Sequence, residues 1–258
     1  MTPRYTISLL GAGNVGTHLS RLLYEAGHEV LQVYDRKPEK AREAAFAANA
    51  QAIHTLEALK EAADLYLICV KDAAIAELAA ALPHRGPLLC HTSGTMERAI
   101  LGIGRRSGVF YPVQTFTKGI PLRFEDTALV IEAPEEADRT LLWNLALSLR
   151  GKPWILGQDA RRQVHLAAVI SNNFSNHLFR LAADWLQSEG LDFALLQPLL
   201  RETVQKLKYA PPGELQTGPA VRGDREIMER QMNMLQEAPT LQAIYRLFSE
   251  SIDETKKH

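Results

Sequence analysis

The most constraining feature of this chain is the run Gly11-Ala12-Gly13-Asn14-Val15-Gly16. It has the spacing G-x-G-x-x-G, with a β-rich segment before it (Tyr5 to Leu10) and an amphipathic one after it (Val15 to Ala26, closed by Gly27). Glycine-rich turns are common, so the setting carries the argument. A strand precedes the run, a helix follows, and an acidic residue, Asp35, ends the next strand-like segment, Glu29 to Tyr34. The first glycine permits a tight turn, the second lets the backbone approach a diphosphate, and the third lets the helix pack on the strand. The helix start adds free N–H groups and a partial positive charge. Together these predict a dinucleotide-binding Rossmann domain, with Gly11, Gly13, Asn14, Val15 and Gly16 at the phosphates.

The pattern continues for the first half of the chain. A helix is expected from Pro38 to Ala50, a weak strand near Ala52 and Ile53, an apolar strand from Leu65 to Val70 and a helix from Ala73 to Leu82. Further strands are expected at Pro87 to Cys90, Gly108 to Tyr111, Thr127 to Ile131 and Lys152 to Leu156. Strands alternating with helices imply a parallel, doubly wound sheet. From Asp159, read as an N-cap, strand signals stop and about thirty residues show helical periodicity. Helices follow at Asp192 to Lys208, Asp224 to Gln236 and Pro239 to Ile252, broken by Pro211-Pro212-Gly213 and Thr217-Gly218-Pro219. The expected fold class is α/β, a Rossmann domain over 1–157 followed by an all-helical domain over 158–258.

Composition narrows the partners. A net charge of -1 gives no electrostatic footprint for nucleic acid or an anionic membrane, so a small molecule is the expected partner. Cys69 and Cys90 lie in apolar runs without metal or redox spacing and read as reduced core cysteines. Arg4 precedes only a short apolar run, unlike a signal peptide, and no segment is long enough to span a bilayer; the expectation is cytoplasmic.

In open α/β sheets ligands bind at the carboxyl ends of strands. Asp35 suits the ribose diol of NAD, whereas Arg36, with Lys37, Lys40 and Arg42, suits the 2′-phosphate of NADP; the residues alone leave both open. Val70 and Lys71 should lie along the cofactor, and Asp72 suits a helix N-cap. His91-Thr92-Ser93-Gly94 and Tyr111 to Phe116, the latter carrying Gln114 and Thr115, form polar loops that would face the nicotinamide or the substrate. Beyond Asp159, helical spacing puts His165, Asn172, Asn176 and Arg180 on one stripe, with Asn173 at its edge. That stripe reads equally as a solvated face or a subunit contact. If it faces the cleft, His165 is the natural general acid, with Asn173 and Ser93 as further catalytic candidates and His91, Thr92, Gln114, Thr115 and Asn172 as substrate contacts. No metal is expected, because no His pair has zinc spacing.

Gly11 to Gly16, His91 to Gly94, Tyr111 to Phe116, His165 to Phe174 and Thr217 to Asp224 together resemble a bacterial family of uncharacterised oxidoreductases. Its members join a Rossmann-like domain to a helical domain of unknown function. The wider relatives are pyrroline-5-carboxylate reductase, deazaflavin-dependent NADP reductases, and the 6-phosphogluconate and 3-hydroxyisobutyrate dehydrogenases. The resemblance implies a nicotinamide dinucleotide, with NADP favoured over NAD, a helical domain that forms a homodimer, and a substrate pocket between the domains. Many members have histidine where this chain has Tyr111, and a small hydroxyl residue where it has Asp35. In Thr217 to Asp224, Gly218-Pro219 forces a turn and Asp224 can cap a helix, while Arg222 is able to grip a carboxylate or phosphate by two hydrogen bonds. The expected function is hydride transfer to or from a small carbonyl, alcohol or imine; the alternative is a non-catalytic dinucleotide sensor.

Overall fold

The structure is a computed structural model and describes residues 3–255. The chain forms two compact units that divide between Val169 and Ile170. Gly157 marks where strands stop, but the helix after it belongs to the first unit.

The first unit is built on one eight-stranded sheet. Its strands are β1 (Thr6–Leu10), β2 (Glu29–Tyr34), β3 (Gln51–Ile53), β4 (Leu65–Ile68), β5 (Leu88–His91), β6 (Ser107–Pro112), β7 (Ala128–Glu132) and β8 (Lys152–Ile155). They lie in the order β3-β2-β1-β4-β5-β6-β7-β8. The order reverses between β1 and β4, the crevice in which such sheets bind ligands. Central strands are buried on both faces; every residue of β4 and β5 is buried. Residues Leu9, Leu67, Cys90, Phe110 and Ile131 pack one face, and Leu10, Tyr66, Ile68 and Leu89 the other.

The expectation of a wholly parallel sheet needs correction at one pair: β7 runs antiparallel to β6, with Tyr111 opposite Val130. The connection at 113–127 contains no helix, so the chain returns on itself without the crossover a parallel pair requires. The helices are α1 (Asn14–Glu25), α2 (Pro38–Phe46), α3 (Ile75–Ala80), α4 (Glu136–Ser148) and α5 (Gln158–Ala168). Sequence reasoning missed α4. Its apolar run puts Leu142, Leu145 and Ala146 in the core but Trp143 and Leu147 on the surface, which blurs the helical stripe. Two capping expectations also change. Asp159 lies inside the first turn of α5, whose N-cap position is Gly157. Asp72 starts a 3-10 turn (Asp72–Ala74), and its carboxylate accepts from Thr95 Oγ1 at 2.5 Å.

The second unit contains α6 (Ser175–Ser188), α7 (Gln197–Lys206), α8 (Pro219–Arg222), α9 (Arg225–Met234) and α10 (Pro239–Thr255). Asp192 caps the 3-10 turn leading into α7 by accepting from Ala194 N at 2.7 Å. Asp224 occupies the N-cap position of α9, but its carboxylate takes Arg222 Nε at 2.8 Å in place of a helix N–H. The expected single helix after Asp159 is not uniform: Val169–Phe174 is π-helical. Each π turn holds an extra residue, so spacing at the α-helical angle no longer aligns His165 with Asn172 and Asn176.

Candidate functional site

The glycine run adopts the geometry its three tasks require. Gly11 has φ +113, and its N–H donates to Tyr34 O at 2.7 Å. A Cβ at Gly16 would stand 1.9 Å from Gly11 O, so α1 packs on the turn with no room for a side chain. A Cβ at Gly13, by contrast, would meet nothing within 4 Å. Gly13 is therefore bare toward solvent for a reason other than packing inside the protein. With the free N–H groups at the α1 start, the residues present fit a dinucleotide diphosphate.

Both carboxylate oxygens of Asp35 hold backbone: one accepts from Ala12 N at 2.9 Å and the other from Lys37 N at 2.9 Å. Asp35 thus fastens the glycine turn to the end of β2. Arg36, Lys37 and Lys40 beside it are exposed, and their side chains make no hydrogen bond or ion pair to a described residue. Val70 lies against Gly11, and Lys71 is exposed at the start of the next turn. The loop after β6 is tied across α1, with Asn14 Nδ2 donating to Phe116 O at 2.9 Å and His18 Nε2 lying 3.0 Å from Thr117 O. Gln114 folds on its own loop, where its Oε1 accepts from Thr115 N at 2.9 Å; Thr115 is exposed.

The second cluster joins the ends of β5 and β6 to α5. Tyr111 Oη lies 3.0 Å from His165 Nδ1, with the rings edge to face and their centroids 5.7 Å apart. Both rest on Gly94. A Cβ there would stand 2.6 Å from His165 Nδ1 and 2.9 Å from Tyr111 Cζ. Burial raises the Tyr111 pKa, and the nearby charge of Arg161 draws it partly back.

Arg161, with 0% exposure, fixes α5 against this loop. Its Nη1 donates to Ser93 O at 3.0 Å and its Nη2 to Met96 O at 2.7 Å, with Glu132 Oε2 at 3.3 Å. Arg162 Nε adds a bond to Thr95 O at 2.9 Å. Tyr111 was expected only as the start of its polar loop, with no role of its own, and Arg161 was not a candidate. The available signal for Arg161 was its position one turn before His165.

Other expected residues have internal duties. His91 is wholly buried, so it does not offer a surface to a substrate as expected; its Nδ1 accepts from Ser93 N at 3.2 Å and its Nε2 has no hydrogen-bond partner among the described residues. Burial, reinforced by Arg161, lowers its pKa to about 4 and keeps it neutral. The Ser93 hydroxyl accepts from Thr95 N at 3.1 Å and Met96 N at 3.0 Å, which makes it the cap of its own turn. Thr92 Oγ1 donates to Ile68 O at 3.3 Å. Asn172, Asn173 and Arg222 belong to the second unit; Asn172 Nδ2 donates to Asn173 Oδ1 at 3.2 Å, and Arg222 is ion-paired with Asp224. Both cysteines are buried, and burial raises their pKa values, that of Cys69 to about 12. Among the described residues there is no cluster of three His, Cys, Asp or Glu that could hold a metal ion, and no helix is long and apolar enough to cross a membrane.

Comparison with known proteins follows the same division. Residues 6–91 match the family described as NADP oxidoreductase coenzyme F420-dependent, and residues 127–252 match a domain of unknown function, DUF2520. No curated protein matches the chain. Among solved structures, the "putative NADP oxidoreductase BF3122" of Bacteroides fragilis is similar at 36% identity and TM-score 0.90, over 97% of this chain and 98% of that one. An imine reductase of Streptomyces aurantiacus aligns at 16% identity and TM-score 0.69, over 96% and 93%. A reductive aminase of Aspergillus terreus, in complex with NADPH and ethyl-5-oxohexanoate, aligns at 20% identity and TM-score 0.60, over 90% and 78%. The last two share the fold alone. The chain belongs to the family of NADP oxidoreductases that join this amino-terminal domain to a DUF2520 domain.

Proposed function

We propose that the protein is an NADP-dependent oxidoreductase that reduces a small carbonyl or imine, with His165 moving the proton. The observation that carries this reading is the His165 ring held on Gly94 by the Tyr111 hydroxyl, at the carboxyl ends of β5 and β6, the same edge of the sheet as the glycine turn. A sensor needs only the dinucleotide site and has no use for a positioned imidazole. Reduced nicotinamide, when bound, supplies a hydride.

The chain's own residues bind, orient and protonate. Gly11, Gly13 and Gly16 shape the turn, and the N–H groups of Asn14 and Val15 hold the diphosphate. Arg36, with Lys37 and Lys40, takes the 2′-phosphate, for which its unpaired guanidinium is suited, while Asp35 secures the turn beneath it. Val70 and Lys71 line the path toward the nicotinamide end. The neutral groups around His165 suit orientation better than nucleophilic attack. The similar folds of an imine reductase and a reductive aminase support a C=O or C=N substrate. A homodimer formed through the helical unit completes the reading.

Calorimetric titration tests the cofactor: NADPH should bind at least about 10-fold tighter than NADH, and Arg36→Ala should remove most of that preference. Equal affinities would overturn the NADP assignment, and no binding at all would overturn the oxidoreductase. With any substrate found, His165→Ala should lower kcat about 100-fold or more; undiminished turnover would dismiss its proton role.

A further inference from the structure

The Tyr111 hydroxyl has one hydrogen-bond partner among the described residues, His165 Nδ1 at 3.0 Å. Tyr111 is only 8% exposed, and donating to that nitrogen would satisfy its O–H. A ring that accepts at Nδ1 carries its neutral-state proton on Nε2, which makes no hydrogen bond to the described residues. Gly94 lets the two rings meet, because any side chain there would drive them apart.

Resting on the role of His165 above, we propose that Tyr111 and His165 form a proton relay for reduction of a ketone or aldehyde, in which Nε2–H passes to the substrate oxygen as the phenolic proton passes to Nδ1. The hydride forms the new C–H bond, the C=O π pair becomes an oxygen lone pair, and that oxygen takes the Nε2 proton. The imidazole is neutral before and after, having exchanged one tautomer for the other. The charge finishes on the phenolate, a far weaker base than the alkoxide it replaces. Once the alcohol leaves, water reprotonates Nε2 and the Nδ1 proton returns to the phenol. Arg161 on α5 is the cation whose charge reaches the phenol, and its ion-pair partner is Glu132 on β7. His91 on β5 is kept neutral by burial, and Asp72 is bonded to Thr95 on the intervening loop. A preformed iminium needs no such proton, so the relay serves carbonyl substrates.

The test uses the purified full chain with NADPH and two probes, cyclohexanone and N-methyl-1-pyrrolinium. Because the relay works with a neutral ring, ketone reduction should stay level from about pH 7 to about pH 9. A direct imidazolium acid would lose about tenfold per unit in that range, which would overturn the relay. Tyr111→Phe should lower kcat for cyclohexanone about 10- to 100-fold, leave KM for NADPH unchanged and introduce that decline above pH 7. Its effect on the iminium should be at least about tenfold smaller. A Tyr111→Phe variant matching the parent in rate and pH profile overturns the relay while leaving the His165 reading intact; ketone turnover retained in His165→Ala overturns the His165 reading itself. Imidazole ¹⁵N NMR at pH 8 needs no substrate and decides the matter if neither probe is reduced. His165 should be Nε2-protonated with Nδ1 as an acceptor, and Tyr111→Phe should shift the Nδ1 resonance and mix the tautomers. Identical spectra would overturn the relay.

Discussion

Gly13 and Gly16 occupy the same turn but serve different purposes, and single methyl groups separate them. Gly16→Ala would set a Cβ 1.9 Å from a backbone oxygen, so α1 must move; a loss of about 1–3 kcal/mol is expected in urea unfolding. Gly13→Ala meets empty space and should change unfolding by less than about 0.5 kcal/mol, while weakening NADPH about tenfold or more by calorimetry. Equal effects of both variants on stability would contradict this division. His91 gives a pH signature. Its folded pKa is lowered to about 4, so between that value and the unfolded value of about 6.5 the unfolded chain binds the extra proton. Stability therefore rises with pH through this window and is lost as pH falls through it, by about 3 kcal/mol at most. His28, also lowered by burial and by Arg4, acts in the same direction. Urea midpoints from pH 7 to pH 4 should show the loss, and His91→Gln should remove most of it.

At the scale of elements, α5 is held to the site by one buried arginine. Arg161 supplies donors to two loop carbonyls and Glu132, so Arg161→Met leaves those acceptors without their cation. Removing one partner of a buried pair costs about 3–5 kcal/mol, measurable as a lowered urea midpoint. Arg161→Lys should recover only part of it, because an ammonium cannot span two carbonyls as the guanidinium fork does. The same element shows where sequence reasoning stops. The glycine turn was legible because its sterics are local to consecutive residues, and the strand ends were legible because buried strands are uniformly apolar. Arg161 sits in a polar helix start where a solvated arginine looks identical, and its partners Ser93 and Met96 lie far off in sequence. The Tyr111–His165 contact joins a strand to a helix across three intervening elements, which no spacing rule reports. The π-helical segment likewise has no local signature, and it undid the alignment of the asparagines with His165.

On the scale of the whole molecule, the helical unit has too little of its own interior. Of residues 170–255 only Ala220, Leu235 and Ser249 are buried. Large apolar side chains that helices ordinarily turn inward are open, among them Phe174, Leu195, Leu199, Val204, Leu207 and Leu247. A soluble monomer seldom leaves so much apolar surface uncovered, and obligate homodimers bury such surface in large, hydrophobic interfaces. A second copy of this chain is the partner proposed for it. Two consequences are measurable. Sedimentation should give a dimer at micromolar concentration, and the thermal midpoint should rise with protein concentration, because association adds to folding stability. Leu199 and Val204 lie on α7 with more than half their surface free. In a monomer, Leu199→Arg and Val204→Glu would be near neutral surface changes, within about 0.5 kcal/mol. In a dimer that buries α7 they place unpaired charges in an apolar interface, and together they should dissociate the protein and lower its thermal midpoint. A double variant that sediments and melts like the parent would place the dimer contact elsewhere; a parent that sediments as a monomer with a concentration-independent midpoint would remove the dimer altogether.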